Sequence, residues 1–129
     1  MTFLIDTQCL LWYFEDNEKL SRGAAALIDA PANQVFVSAA TVWEVVIKVS
    51  LQKLRLEETP ENYFRKRFES PAFSKLAITF EHAAKVYSLP PHHKDPFDRM
   101  LIAQAGVEGI PIMTSDAVFR KYPIQIIAA

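Results

Sequence analysis

The chain has a single cysteine in 129 residues, so no internal disulfide can form, and the sequence fits a reducing, cytoplasmic setting rather than a disulfide-stapled secreted scaffold. That cysteine, Cys9, lies among Leu10, Leu11 and Trp12 and reads as packing rather than as a reactive thiol. No apolar run approaches the length of a membrane span. The N-terminus has no basic region and carries Asp6 inside its apolar stretch, unlike a secretory signal. There is no low-complexity segment, no internal repeat and no linker. Zinc chemistry lacks support as well, because His92-His93 has no second cysteine or histidine cluster to join it; the pair reads as a loop near a pocket mouth. Net charge is only −1, which by itself argues against a nucleic-acid binder.

What is present is one ordered domain over residues 1–129. Half of the residues are hydrophobic, enough for one sizeable core and too few residues for two. Residues 2–5 read as a buried strand, followed by a helix over 7–15. Ser21 caps a helix over 22–29, stopped by Pro31. Gln34 to Val37 is the second strand. Ser38 or Thr41 caps a helix running to about Leu51, with Val42, Val45, Val46 and Val49 at helical spacing toward the core. Pro60 opens a helix with Tyr63, Phe64 and Phe68 on one face. Leu76 to Ile78 reads as the third strand, and Thr79 caps a helix through Tyr87. Asp95 is a cap followed by Pro96 at the first helical position, and that helix runs to Glu108, where Gly109 stops it. Pro111 to Met113 is the fourth strand, Ala117 to Tyr122 a short helix, and Ile124 to Ile127 the last strand. Strands that alternate with helices predict an α/β fold with a mostly parallel sheet covered on both faces.

Four acids sit where strands give way to helices or just inside a helix start: Asp6, Glu44, Asp98 and Asp116. In an open α/β sheet such junctions meet at the carboxyl rim of the strands, where these folds place ligands. Each acid has an ordinary explanation as a helix cap or a partner of the helix dipole. Ser21 and Thr79 cap helices elsewhere, however, whereas the rim junctions carry carboxylates. Glu44 also emerges from the apolar stretch Val42, Trp43, Val45, Val46, where a carboxylate needs a partner. Clustered carboxylates are reconciled by a hard divalent cation, and oxygen donors favour Mg²⁺ or Mn²⁺. Such an ion delivers a water-derived nucleophile and steadies charge on a phosphoryl group. Asp95 competes with Asp98 for the role of ligand; Asp98 is preferred because it stands one turn from Leu101 and Ile102, beside the buried face. Setting Asp6, Glu44, Asp95, Asp98 and Asp116 aside leaves ten acids against fourteen Lys and Arg, a surface that attracts a polyanion. Arg65, Lys66 and Arg67 read as a solvated helix face, while Lys94 and Arg99 flank the proposed pocket.

These segments together resemble the PIN-domain ribonucleases, specifically the VapC-type toxins of bacterial toxin–antitoxin pairs. The resemblance lies in Phe3-Leu4-Ile5-Asp6-Thr7, in Ser38 to Lys48 with Trp43-Glu44, in Asp95-Pro96-Phe97-Asp98-Arg99-Met100-Leu101-Ile102-Ala103-Gln104-Ala105, and in Thr114-Ser115-Asp116. It covers nearly the whole chain. It implies a PIN-like three-layer sandwich and a Mg²⁺- or Mn²⁺-dependent endoribonuclease. Asp6, Asp98 and Asp116 would neighbour the metal, and Glu44 would complete the site directly or through water. Thr7, Lys94, Arg99, Thr114 and Ser115 would be substrate contacts. Water would attack phosphorus in line and leave a 5′-phosphate and a 3′-hydroxyl. The family also implies a protein antitoxin and a homodimer, with Trp12, Tyr13, Phe14 and Trp43 as groove candidates, although each reads first as core. Gln8 departs from the pattern, standing where relatives often carry histidine. Two other α/β readings fit less well. A receiver wants a second acid after the first strand and one after the third, and a dehalogenase-like phosphatase wants Asp-x-Asp where Gln8 breaks it. The alternative function is a catalytically weak PIN-like RNA-binding or signalling module.

Overall fold

Apolar side chains on both faces make Phe3, Leu4 and Ile5 wholly buried, and their strand becomes the centre of the sheet. In the computed structural model, which describes residues 1–129, the strands are β1 (Thr2–Ile5), β2 (Gln34–Ser38), β3 (Phe73–Leu76), β4 (Ile112–Thr114) and β5 (Ile126–Ala128). They form one parallel sheet in the order β3-β2-β1-β4-β5, with Leu4 beside both Phe36 and Ile112. The helices are α1 (Thr7–Phe14), α2 (Arg22–Asp29), α3 (Ala39–Ser50), α4 (Pro60–Arg67), α5 (Phe80–Lys85) and α6 (Pro96–Glu108).

The pleat sorts the core into two layers. Phe3, Ile5, Val35, Val37 and Met113 pack with Leu10, Ile28, Val45 and Phe64 on one face. Leu4 and Ile112 pack with Leu101, Ile102, Ala105 and Phe119 on the other. Helices therefore cover both faces, which is the three-layer α/β arrangement the alternation predicts. Most caps lie where the sequence places them: Ser21, Thr79 and Asp95 each accept from a backbone N–H of the first turn, and Gly109 ends α6 in the left-handed region at φ 67°. Ser38 caps α3, whereas Thr41 lies inside that helix.

Several elements depart from expectation. The third strand is Phe73–Leu76, three residues earlier than expected, because Phe73 anchors it among Phe14, Tyr13 and Phe68. As a half-buried edge strand it has weak alternation, and Ala77 and Ile78 already leave the sheet for the Thr79 cap. The helix expected through Tyr87 stops at Lys85 and tightens into a 3-10 turn over Val86–Ser88. Residues 117–121 are likewise a 3-10 turn, and the last strand begins only at Ile126, because Pro123 interrupts pairing. Val46 is 39% exposed and Trp43 60%, against the expected core positions. The buried stripe of α3 is Ala40, Thr41, Glu44 and Val45, which turns residues 43 and 46 outward.

Candidate active site

Strand order reverses between β1 and β4, and the crevice beyond their carboxyl ends is the ligand position of such sheets. Asp6 follows β1 directly and Asp116 lies two residues beyond β4. Asp98 occupies the first turn of α6, and Glu44 reaches inward from the buried stripe of α3.

Asp6 is almost fully buried. One oxygen accepts the backbone N–H of Cys9 at 2.8 Å and the other the Thr114 hydroxyl at 2.6 Å. Burial raises its pKa above the usual carboxylate range; those hydrogen bonds oppose the rise and the nearby Asp116 adds to it. Asp98 is pushed up to about 7, by burial first and by Asp95 next; Glu44 and Asp6 also raise it, and His93 opposes. Asp116 accepts the Val118 N–H at 2.9 Å, capping its turn, and its second oxygen lies 3.0 Å from His93 Nε2. The same Nε2 lies 2.9 Å from Asp98. Glu44 is buried, with one oxygen 2.6 Å from Lys48 Nζ and the other, Oε1, without any partner. The pKa of Lys48 is raised, chiefly by its hydrogen bond to Glu44, with Asp95 and Asp98 contributing.

Ligand atoms of His93, Asp98 and Asp116 all lie within 4.8 Å of one another. Asp6 and Glu44 stand outside that tight group, because Thr114 and Cys9 hold the first and Lys48 draws the second aside. An oxygen-rich donor set with an unpartnered buried carboxylate oxygen fits a hard divalent cation. Asp95, the alternative ligand, is engaged as a cap: its Oδ1 accepts the N–H groups of Phe97 and Asp98.

Among the candidate substrate contacts, Lys94 and Ser115 are exposed, each next in sequence to an acid, Asp95 and Asp116. Thr7 is instead buried, its hydroxyl 3.0 Å from that of Thr41, where it ties α1 to α3. Thr114 orients Asp6. Arg99 departs most from its expected role as a phosphate contact: its guanidinium donates to the carbonyls of Pro90, His93, Val86 and Leu89 and so clasps the loop before α6. Gln8 is exposed. Cys9 is wholly buried, as its neighbours suggested. The basic run of α4 is engaged locally, Lys66 with Glu58 at 3.1 Å and Arg67 over the Tyr63 ring at 3.6 Å.

Sequence reasoning placed His92-His93 in a loop near the pocket mouth without a part in the site, and assigned no role to Lys48. The one available signal for Lys48 was its i,i+4 spacing from Glu44 on a helix. For His93 it was position alone, two residues before the α6 cap, and sequence does not say which way a loop imidazole turns.

The fold is shared with solved toxin–antitoxin and related complexes. The chain resembles a chain of VapBC2 from Rickettsia felis bound to a promoter DNA fragment (TM-score 0.73, 12% identity, 100% of this chain and 99% of that one). It resembles FitAcB from Neisseria gonorrhoeae (TM-score 0.67, 20% identity, 97% and 96%) and DNA-bound VapBC from Salmonella typhimurium (TM-score 0.68, 16% identity, 99% and 98%). No curated protein matches the sequence. The PIN domain profile matches residues 3–125, from β1 through β4 with every helix, and the chain belongs to the PIN domain family.

Proposed function

We propose that this chain is a Mg²⁺- or Mn²⁺-dependent endoribonuclease and the toxin of a toxin–antitoxin pair. The observation that carries the reading is the meeting of Asp98 and Asp116 at one rim, with Asp6 and Glu44 close enough to shift the charge there. Asp6, Asp98 and Asp116 would hold the cation, directly or through water, and Glu44 Oε1 would complete the site directly or through water. A bound divalent ion supplies a water-derived nucleophile at neutral pH and offsets charge on the phosphate. Thr114 fixes the orientation of Asp6, and Lys48 pairs with one oxygen of Glu44. Lys94 and Ser115, exposed at the mouth, meet the RNA backbone.

Two surfaces support the partner side of the reading. A groove of about 930 Å³ is lined by the half-buried Trp12, Tyr13 and Phe14, with basic and acidic side chains mixed around it. It suits a segment of an antitoxin with apolar anchors. Phe80 and Tyr87, each 96% exposed, and the exposed Trp43 offer apolar area for a homodimer.

The test is cleavage of RNA by the purified chain with Mg²⁺ or Mn²⁺, beside Asp6→Asn and Asp98→Asn. Each substitution is expected to lower the rate by about 100-fold or more. Undiminished cleavage in both variants, or none by the unaltered chain, refutes the assignment.

A further inference from the structure

We propose that His93 serves the acidic pocket as a hydrogen-bond donor that competes with the cation, and not as a nitrogen ligand to it. The inference rests on the ribonuclease reading of that pocket. The imidazole is held from several sides. The His93 backbone N–H donates to the Tyr122 hydroxyl at 2.8 Å, its carbonyl accepts from Arg99 at 3.2 Å, and its ring stands edge-on to Phe119 with centroids 5.6 Å apart. The decisive contact is the backbone N–H of Asp95, which donates to His93 Nδ1 at 3.2 Å. A ring nitrogen that accepts carries no proton, so Nε2 is the ring nitrogen left to donate. That nitrogen faces Asp98 Oδ2 at 2.9 Å and Asp116 Oδ2 at 3.0 Å, and its N–H is shared between the two carboxylates.

Ligating a metal through Nε2 would move the proton to Nδ1, where it would confront the Asp95 N–H with no acceptor between them. Asp95 cannot turn away easily, because its side chain caps α6 through Phe97 and Asp98. The loop and the helix cap together therefore fix the tautomer that donates. In that role His93 relieves repulsion between Asp98 and Asp116 and occupies the oxygens a cation would take. Removing the imidazole removes the competitor and leaves the carboxylates to the ion alone. Removing a ligand would do the reverse, so the two roles give effects of opposite sign.

The experiment is calorimetric titration of the chelator-treated full chain with Mn²⁺, comparing the unaltered protein with His93→Ala. The expected result is a Kd lower in the variant by about 3- to 10-fold, the scale of the net contribution of one hydrogen bond. An unchanged or higher Kd overturns the proposal. Electron spin-echo spectroscopy of the Mn²⁺-loaded unaltered chain decides the matter even where the alanine variant fails to fold: absence of ¹⁴N modulation from a bound imidazole is expected, and its presence overturns the proposal. Mn²⁺ binding with a histidine nitrogen bound defeats this inference alone. Failure of Mn²⁺ to bind the unaltered chain at all defeats it together with the ribonuclease reading.

Discussion

Asp98 experiences the pocket most strongly. Its carboxyl moves from 3.8 up to about 7, with burial as the main cause and Asp95 the next. The unfolded chain restores the ordinary value, so the folded state binds this proton more tightly. The stability it contributes is complete below about pH 4 and is lost as pH rises through about 7. Asp98→Asn cannot ionise and keeps an acceptor for His93, so it escapes that loss. In chelator-treated protein the variant is expected to melt higher than the unaltered chain at about pH 8, with the gap narrowing at about pH 5. Thermal melts at the two pH values check this, and an equal gap at both contradicts it. Glu44 gives a companion case. Lys48→Ala would leave a buried carboxylate with neither oxygen paired to an ammonium and is expected to destabilise by about 1–3 kcal/mol, measured by urea denaturation. Added Mn²⁺ should recover part of the loss, since a cation near Glu44 replaces the missing positive charge.

At the scale of elements, caps and strands buried on both faces were legible because each has a local cause. Ser21, Thr79 and Asp95 act through their own first turns, and Phe3-Leu4-Ile5 needs only a central position. Edges and long-range clasps were not. β3 is set by Phe73 meeting Phe14 of α1 and Phe68 at the end of α4, which no local pattern encodes. Trp43 and Val46 looked like core because α3 is apolar on more than one side, and only packing against the sheet chooses the stripe. Arg99 stands beside the acids in sequence, yet its guanidinium is engaged by carbonyls of the loop that follows α5. Arg99→Lys cannot reproduce that fork and is expected to cost about 2–3 kcal/mol of stability by denaturant titration, and to raise hydrogen exchange in residues 86–95. A stability change within about 0.5 kcal/mol would contradict the clasp.

For the whole molecule, the parallel order β3-β2-β1-β4-β5 explains why residues more than a hundred positions apart meet. It sets the ends of β1 and β4 side by side, and Thr114 donates to Asp6 across them. The sequence pattern of acids after strands was enough to suspect the rim, because parallel sheets bring all carboxyl ends to one side. It could not show that Asp98 and Asp116 are bridged by His93 or that Glu44 keeps one oxygen free, since those depend on loop closure and on the turn of a helix. The account as a whole therefore turns on one point in space. Crystals of the chain soaked in Mn²⁺ and measured at a wavelength where manganese scatters anomalously would locate the ion directly. The account predicts an anomalous peak within bonding distance of the Asp98 and Asp116 carboxylates, on the side facing Asp6 and Glu44. A peak elsewhere, or none at saturating Mn²⁺, would contradict it.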